Sequence, residues 1–568
     1  MASTRYLFLT LAASGMLAGA GLVGCNSVDR SASDSRPALF DNLGAHTWRA
    51  TTSSADAQRY FNQGVIWMYS FNHDEAIRNF RHAAQIDPNF AMAWWGVSLC
   101  NGPHVNNPAM DAAHSRAAWD ALQKACELAP HASPLEQSLI AALGARYADP
   151  GAGTLPLTAA ERAPLDAAYA DAMASVYASH PDNTEVATLY AEAIMDTMPW
   201  DYWSKQGEPR PRTRELLRVL ESVLAADPSH PGANHLYIHA VEASPHPELA
   251  DAAASRLRTL VPASGHMVHM PAHIDVRMGR WNLSASQNQK AIRVHDQYVK
   301  RSPTQGFYRL YMLHNDHFLS YACMMAGRKQ DALAAARATV DGIPDSFYKD
   351  FSPLADTVTP IEVESLMRFG QWDAILAFPE PRESLPITRA LWRFARGVAL
   401  AAKGDVAAAR AEQDLFEQSV SNVPAGAMMA ANPASNVLEL AREMLEGEIL
   451  YREKDFDGAV KRLSRAVEIE DTLNYMEPPD WVQPVRHALG AVLLEAGQPE
   501  QAARVYQEDL QRWPENGWSL FGMSEAMTAL GKSAEAAEYH QRYKKAFSQA
   551  DIDLRASCLC ADHLHAAK

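Results

Sequence analysis

The chain has 568 residues, a formal net charge of −16 and 48% apolar side chains. That acidity excludes a nucleic-acid-binding surface, because engaging the phosphate backbone needs a basic face. Six cysteines scattered over this length are not the disulfide framework of a small secreted module.

The first residues carry an export signal. Arg5 gives a short positive start, and Leu7 to Val23 form an uncharged apolar run too short for a comfortable membrane span. The run ends in Leu22-Val23-Gly24-Cys25, which resembles the bacterial lipobox. The resemblance implies a signal peptide over 1–24 and a lipid such as palmitate on Cys25, the new N-terminus. Residues 25–40 then read as a flexible tether. No later stretch is apolar enough to span a bilayer, so a lipid-anchored protein of the bacterial cell envelope is expected, at the periplasmic or outer-membrane face. The roughly 540 residues that follow exceed one compact core, so a repeat array or several domains are expected.

Repeats are visible. Tyr60, Gly64, Trp67, Ala76, Phe80, Ala83 and Pro88 fall at positions 4, 8, 11, 20, 24, 27 and 32 of a unit of about 34 residues, the tetratricopeptide (TPR) pattern. Small residues at positions 8 and 20 let the two helices of a unit approach, large ones fill the gap, and proline ends the second helix. Leu489, Gly490, Gly497, Ala502, Tyr506 and Pro514 repeat the frame, as do Gly447, Phe456, Ala459, Leu463 and Ala466. Weaker units carry Gly370 with Trp372 and Gly404 with Ala409; in the middle, Ala250 and Pro262 anchor one unit, Gly279, Trp281 and Ala291 the next, and Gly327, Ala332 and Pro344 a third. The predicted fold is all-α, a TPR-type solenoid of roughly nine to eleven helix-turn-helix units in two halves. The N-terminal array covers 41–350 and the C-terminal array 389–550. A proline-rich connecting segment, 351–388, separates them, and Gly/Pro-rich inserts at Asp149–Pro156 and Pro199–Pro211 interrupt the first.

Histidine is concentrated. An even spread of the 21 histidines would put roughly three between residues 230 and 317, and ten stand there: His230, His235, His239, His246, His266, His269, His273, His295, His314 and His317. On the repeat frame His235 and His239 take positions 5 and 9 of a first helix, and His269 and His273 the same positions one unit on. His314 and His317 take positions 2 and 5 of a third. The resemblance to TPR proteins implies that these positions face the concave groove. Each i,i+4 pair shares a helix face, with Glu242 at position 12 beside the first pair. Converging imidazoles suit a transition metal ion such as copper, zinc or iron. The predicted ligand set is His235, His239, His266, His269, His273, His314, His317 and Glu242. Pro271 in the second unit predicts that its helix starts there, leaving His266 and His269 in the preceding turn. A groove that holds a peptide without metal, and incidental packing, are the alternatives. His73 takes position 17, a core position, so packing is its expected role; His104 lies just past a helix end. The tail, 551–568, holds Cys558, Cys560 and His563, a minor metal or redox candidate, with a disulfide-reactive or disordered tail as the alternative.

Beyond the generic repeat, the chain resembles a largely uncharacterised family of bacterial TPR lipoproteins. The resemblance is carried by Ala57 to Gly64, Phe71 to Ala76, Ala91 to Gly96, His235 to Glu242, Gly265 to His273, Tyr475 to Trp481, Glu508 to Leu510 and Pro514 to Trp518. It implies the fold and supplies no catalytic residue. Three functions follow as expectations: an envelope protein whose groove holds a metal ion and a protein or peptide partner, a metalloenzyme with Glu242 as general base, or a metal-free scaffold for envelope complexes.

Overall fold

The computed structural model describes residues 36–151, 153, 155–302 and 306–561; Cys25 and His563 lie outside them. The described chain is helical almost throughout, apart from one two-residue antiparallel pairing, Met428–Met429 with Asn432–Pro433. Consecutive helices pack as pairs, among them Ala55–Tyr69 with His73–Ile86 and Val485–Glu495 with Pro499–Arg512. None is long and apolar enough to cross a membrane. The helices form two compact units. One holds the described residues up to Ile274 together with Lys290–Met312, the other Asp275–Gln289 with the described residues from Leu313 onward.

The small-against-large logic of the repeat is plain at named positions. The Phe80 ring is wedged against Gly64 and Gly96, where an added Cβ would come within 2.7 Å of it. In the second unit Tyr506 is pinched in the same way between Gly490 and Gly522, each leaving 2.3 Å for a Cβ. Such gaps admit no side chain, which is why glycine stands there.

Three expected boundaries shift. Residues 36–40, the end of the expected tether, pack on the first helix pair: Arg36 Nε donates to Tyr60 Oη at 2.6 Å, and the Phe40 ring meets Trp67 at 5.3 Å. The units part around residues 275–313 and not at 351–388. That segment carries the helices Ser352–Val358, Ile361–Arg368 and Trp372–Ala377: Pro353 and Pro360 stand at the starts of the first two, where a missing N–H costs nothing, and Pro379 and Pro381 follow the third. At the C-terminus Ala556, Cys558, Cys560 and Ala561 join the core of the second unit, so residues up to 561 are not a disordered tail.

The second unit buries Glu364, whose pKa burial and the neighbouring Asp480 raise to about 8. A carboxyl that holds its proton more tightly when folded imposes no penalty below its unfolded pKa near 4.5, and a growing one as pH rises towards 8. Glu364→Gln is therefore expected to flatten the loss of stability of this unit between pH 5 and pH 8. The gain at pH 8 is on the order of 4 kcal/mol, read from melting curves at the two pH values.

Candidate metal centre

The first unit gathers five of the seven predicted histidines into one buried cluster. His235 and His239 stand one turn apart on helix Pro231–Val241, which Pro231 opens and His230 caps by accepting the Ala233 N–H. The expected turn before Pro271 is instead a short helix, Gly265–His269, capped by Ser264 and carrying His266 and His269. Pro271 then opens Pro271–Arg277, which bears His273. Gly265 is required at the junction, since a Cβ there would lie 2.1 Å from the His295 ring.

Hydrogen bonds fix the tautomers. His235 donates from Nδ1 to the Tyr69 carbonyl at 2.7 Å, and His239 donates from Nδ1 to Glu242 Oε1 at 2.8 Å. His273 Nδ1 lies 2.5 Å from the other Glu242 oxygen. In the neutral rings of His235 and His239 this makes Nε2 the unprotonated nitrogen, the arrangement in which a carboxylate or carbonyl orients a metal-binding imidazole. Glu242 thus holds two rings, and the roles of ligand and general base predicted for it are replaced by that of a positioning group. Burial would raise its pKa, yet His273 and His239 overcome this and keep it ionised.

The ring nitrogens converge. One ligand atom each from His235, His239 and His266 lies within 4.8 Å of the other two. The Nε2 atoms of His235 and His266 are 3.1 Å apart, and those of His269 and His273 are 2.8 Å apart. Metal–nitrogen bonds of about 2.1 Å place neighbouring ligand nitrogens roughly 3.0–3.4 Å apart, so the first spacing fits one ion and the second is slightly tight. His239 Nε2 and His266 Nδ1 are buried and without a hydrogen-bond partner among the described residues. Burial lowers the pKa of His235, His239 and His266, so their lone pairs are available at neutral pH. His314 and His317 stand on helix Arg309–Met325 past Met312, in the second unit, where burial holds His317 at about 4.

Aromatic groups enclose the centre, which is buried where an open groove was expected. Phe71 lies 4.5 Å from the His235 ring and stacks on His239 at 6.0 Å. Trp200, from the insert Pro199–Pro211, meets His239 edge-on at 5.2 Å, and Tyr311 lies 4.4 Å from His266. Phe71 sits at φ +54 in the turn after helix Ala55–Tyr69, a left-handed position that Gly279, Gly327 and Gly497 fill in later turns. Holding a phenylalanine there costs about 1–2 kcal/mol, and the turn keeps it amid the imidazoles. His104 and His73 extend the cluster away from the ligands: their rings are 4.6 Å apart, and burial lowers His73 to about 4.

Sequence reasoning missed a second layer. Tyr69, whose carbonyl holds His235, donates its hydroxyl to Glu185 at 2.5 Å, and Glu185 also meets His46 at 2.8 Å and His230 at 3.5 Å. His230 accepts a backbone N–H on Nδ1, so its Nε2 carries the proton and offers no lone pair. This group braces Tyr69 and is no ion site. In the second unit Cys558 and Cys560 are joined as a disulfide, so neither is a thiolate ligand in this state.

Fold and site together define an all-α, TPR-type helical-repeat protein with a buried polyhistidine centre. No family model and no curated protein matches the chain. Among solved structures, human IFIT1 as a dimer with PPP-AAAA is 12% identical over 88% of this chain and 92% of that one, at TM-score 0.29. The IFIT1 dimer with m7Gppp-AAAA is 11% identical over 87% and 91%, at 0.31. A chain of the APC/C hetero-tetramer Cut9-Hcn1 is 12% identical over 86% and 76%, at 0.29. The repeat assignment rests on the packed helix pairs of this chain itself.

Proposed function

We propose that this is a lipid-anchored protein of the bacterial envelope that binds a transition metal ion through His235, His239 and His266, with His269 and His273 completing the cluster. The observation that carries the reading is His239 Nε2, a buried lone pair without a partner among the described residues, beside nitrogens whose tautomers are set to coordinate. A buried acceptor left unmet costs about 1–3 kcal/mol, a cost an ion would remove. Imidazole ligands suit copper, zinc or iron. When bound, the ion would supply Lewis-acid or redox chemistry, and this chain's part is to hold the rings neutral, oriented and dry. The helical-repeat fold also supports a protein or peptide partner. A metalloenzyme would need its base elsewhere, since both Glu242 oxygens hold imidazoles.

Elemental analysis of the tag-free mature protein is expected to find about one transition metal ion per chain. A content no higher than trace in protein loaded with copper, zinc or iron would end the metal reading in favour of a metal-free scaffold. The anchor has its own test. Cys25→Ser is expected to abolish lipid labelling and release the protein from membranes; unchanged detergent partitioning would exclude the lipid.

A further inference from the structure

We propose that Cys558 and Cys560 are a thiol–disulfide redox pair, with Glu448 as its proton donor and acceptor and a thiol as its reductant. The two sulfurs and a Glu448 oxygen lie within 4.8 Å of one another, all buried. Glu448 projects from helix Ala434–Arg452; Cys558 precedes the short 3-10 turn Leu559–Ala561 and Cys560 stands within it. Glu448 is 1% exposed, yet its Oε1 has no hydrogen-bond partner among the described residues. A structural crosslink has no use for an unmet acid at its sulfurs. Nor does this bridge add much stability, because a disulfide across a single intervening residue removes little entropy from the unfolded chain. Exchange, in contrast, needs an acid there to protonate the leaving sulfur. Burial raises the Glu448 pKa to about 7, against the pull of Arg452, so both forms of the carboxyl are populated near neutral pH. Tyr451 feels Arg452, Glu495 and Glu448; Arg452 also donates to the Cys560 carbonyl, and Gln483 Nε2 lies 3.9 Å from Cys558 Sγ. Ser557 and Ala561, either side of the pair, line a cavity of about 270 Å³ with Phe521 and Ala491; neither cysteine is among its lining residues.

The step balances. A reductant thiolate attacks one sulfur, the S–S bond breaks, and a mixed disulfide forms. The electron pair passes to the other cysteine, which takes the Glu448 proton. A second reductant thiolate attacks the reductant sulfur of the mixed disulfide, giving the reductant disulfide and the second cysteine thiolate. Solvent protons, released when the two reductant thiols ionised, restore that thiol and Glu448. Two electrons and two protons are transferred in all.

The test follows thiol release in the full-length folded protein exposed to dithiothreitol, with alkylation and mass spectrometry of the peptide holding both cysteines. Wild type is expected to yield two thiols without unfolding. Its rate per attacking thiolate should fall as pH rises through about 7 and Glu448 loses its proton. Glu448→Gln, close in shape, should slow release about tenfold or more below pH 7 and lose that break, and Glu448→Asp should restore part of it. Resistance to reduction until the chain unfolds would overturn the proposal, as would a Glu448→Gln rate and pH profile equal to wild type.

Discussion

Alanine at His239 is expected to abolish stoichiometric metal binding while leaving the helical content of the chain unchanged. The ring offers the Nε2 that lacks any other partner among the described residues, and it belongs with His235 and His266 to the converging set. Losing one of three imidazole ligands should cost at least about a hundredfold in affinity, above the roughly 10–100-fold that follows loss of an orienting group. Glu242→Gln sets that lower mark, because a neutral amide holds His239 and His273 less firmly than a carboxylate does. His73→Ala should lower the melting temperature with little effect on metal, since its ring packs on Phe71 and His104. Protons compete with the ion only where imidazole can ionise. Burial lowers the three pKa values, so binding should persist to a pH below the ordinary histidine value near 6.5 and fail beneath it. Calorimetric titration and metal stoichiometry of the three variants side by side decide the matter. Metal kept by His239→Ala and lost by His73→Ala would place the ion elsewhere.

How much of this centre the sequence disclosed depends on the distance along the chain. The i,i+4 pair His235 and His239 shares a face by helix geometry alone, and the spacing that sets Gly490 against Tyr506 repeats that of Gly64 against Phe80. The partner that fixes His235 is the Tyr69 carbonyl, 166 residues away, and no local pattern announces such a contact. Glu242 stands three residues from His239, a visible spacing, but its second oxygen reaches His273 of the following repeat, which turns an apparent ligand into a brace. Phe71 was hidden for another reason. Its position in the repeat calls for glycine, and a strained aromatic there becomes meaningful only once five imidazole-bearing positions close around it. The insert Pro199–Pro211, legible only as an interruption, brings Trp200 onto His239 and helps turn a groove position into a buried one. Prolines misled at 351–388, because the sequence marks a helix start and a chain break with the same residue.

Gly490→Trp is expected to open the end of the second unit and leave the first intact. The helices Val485–Glu495, Pro499–Arg512 and Gly517–Ala529 meet at the Tyr506 ring, and a Cβ at 490 would already lie 2.3 Å from it. An indole cannot be admitted unless Tyr506 leaves, and on its far side Gly522 leaves no more room. Overpacking of this kind costs about 1–3 kcal/mol, with larger values where the backbone must part. More is lost than packing. The Tyr506 hydroxyl is hydrogen-bonded to Ser557, whose own hydroxyl donates to the His487 carbonyl, so moving the ring unfastens the segment that carries Cys558 and Cys560. Repeat proteins unfold in neighbouring parts and not in one step, so limited proteolysis should show new cuts between 485 and 561 and none before Ile274. Gly144→Ala is the control: nothing lies within 4 Å of its Cβ position, and the change should stay within about 0.5 kcal/mol. Tyr506→Ala in the Gly490→Trp background should recover part of the loss, because the two side chains compete for one space. Simple addition of the two destabilisations would mean that the ring and the glycine do not meet, and the repeat frame of this unit would have to be redrawn.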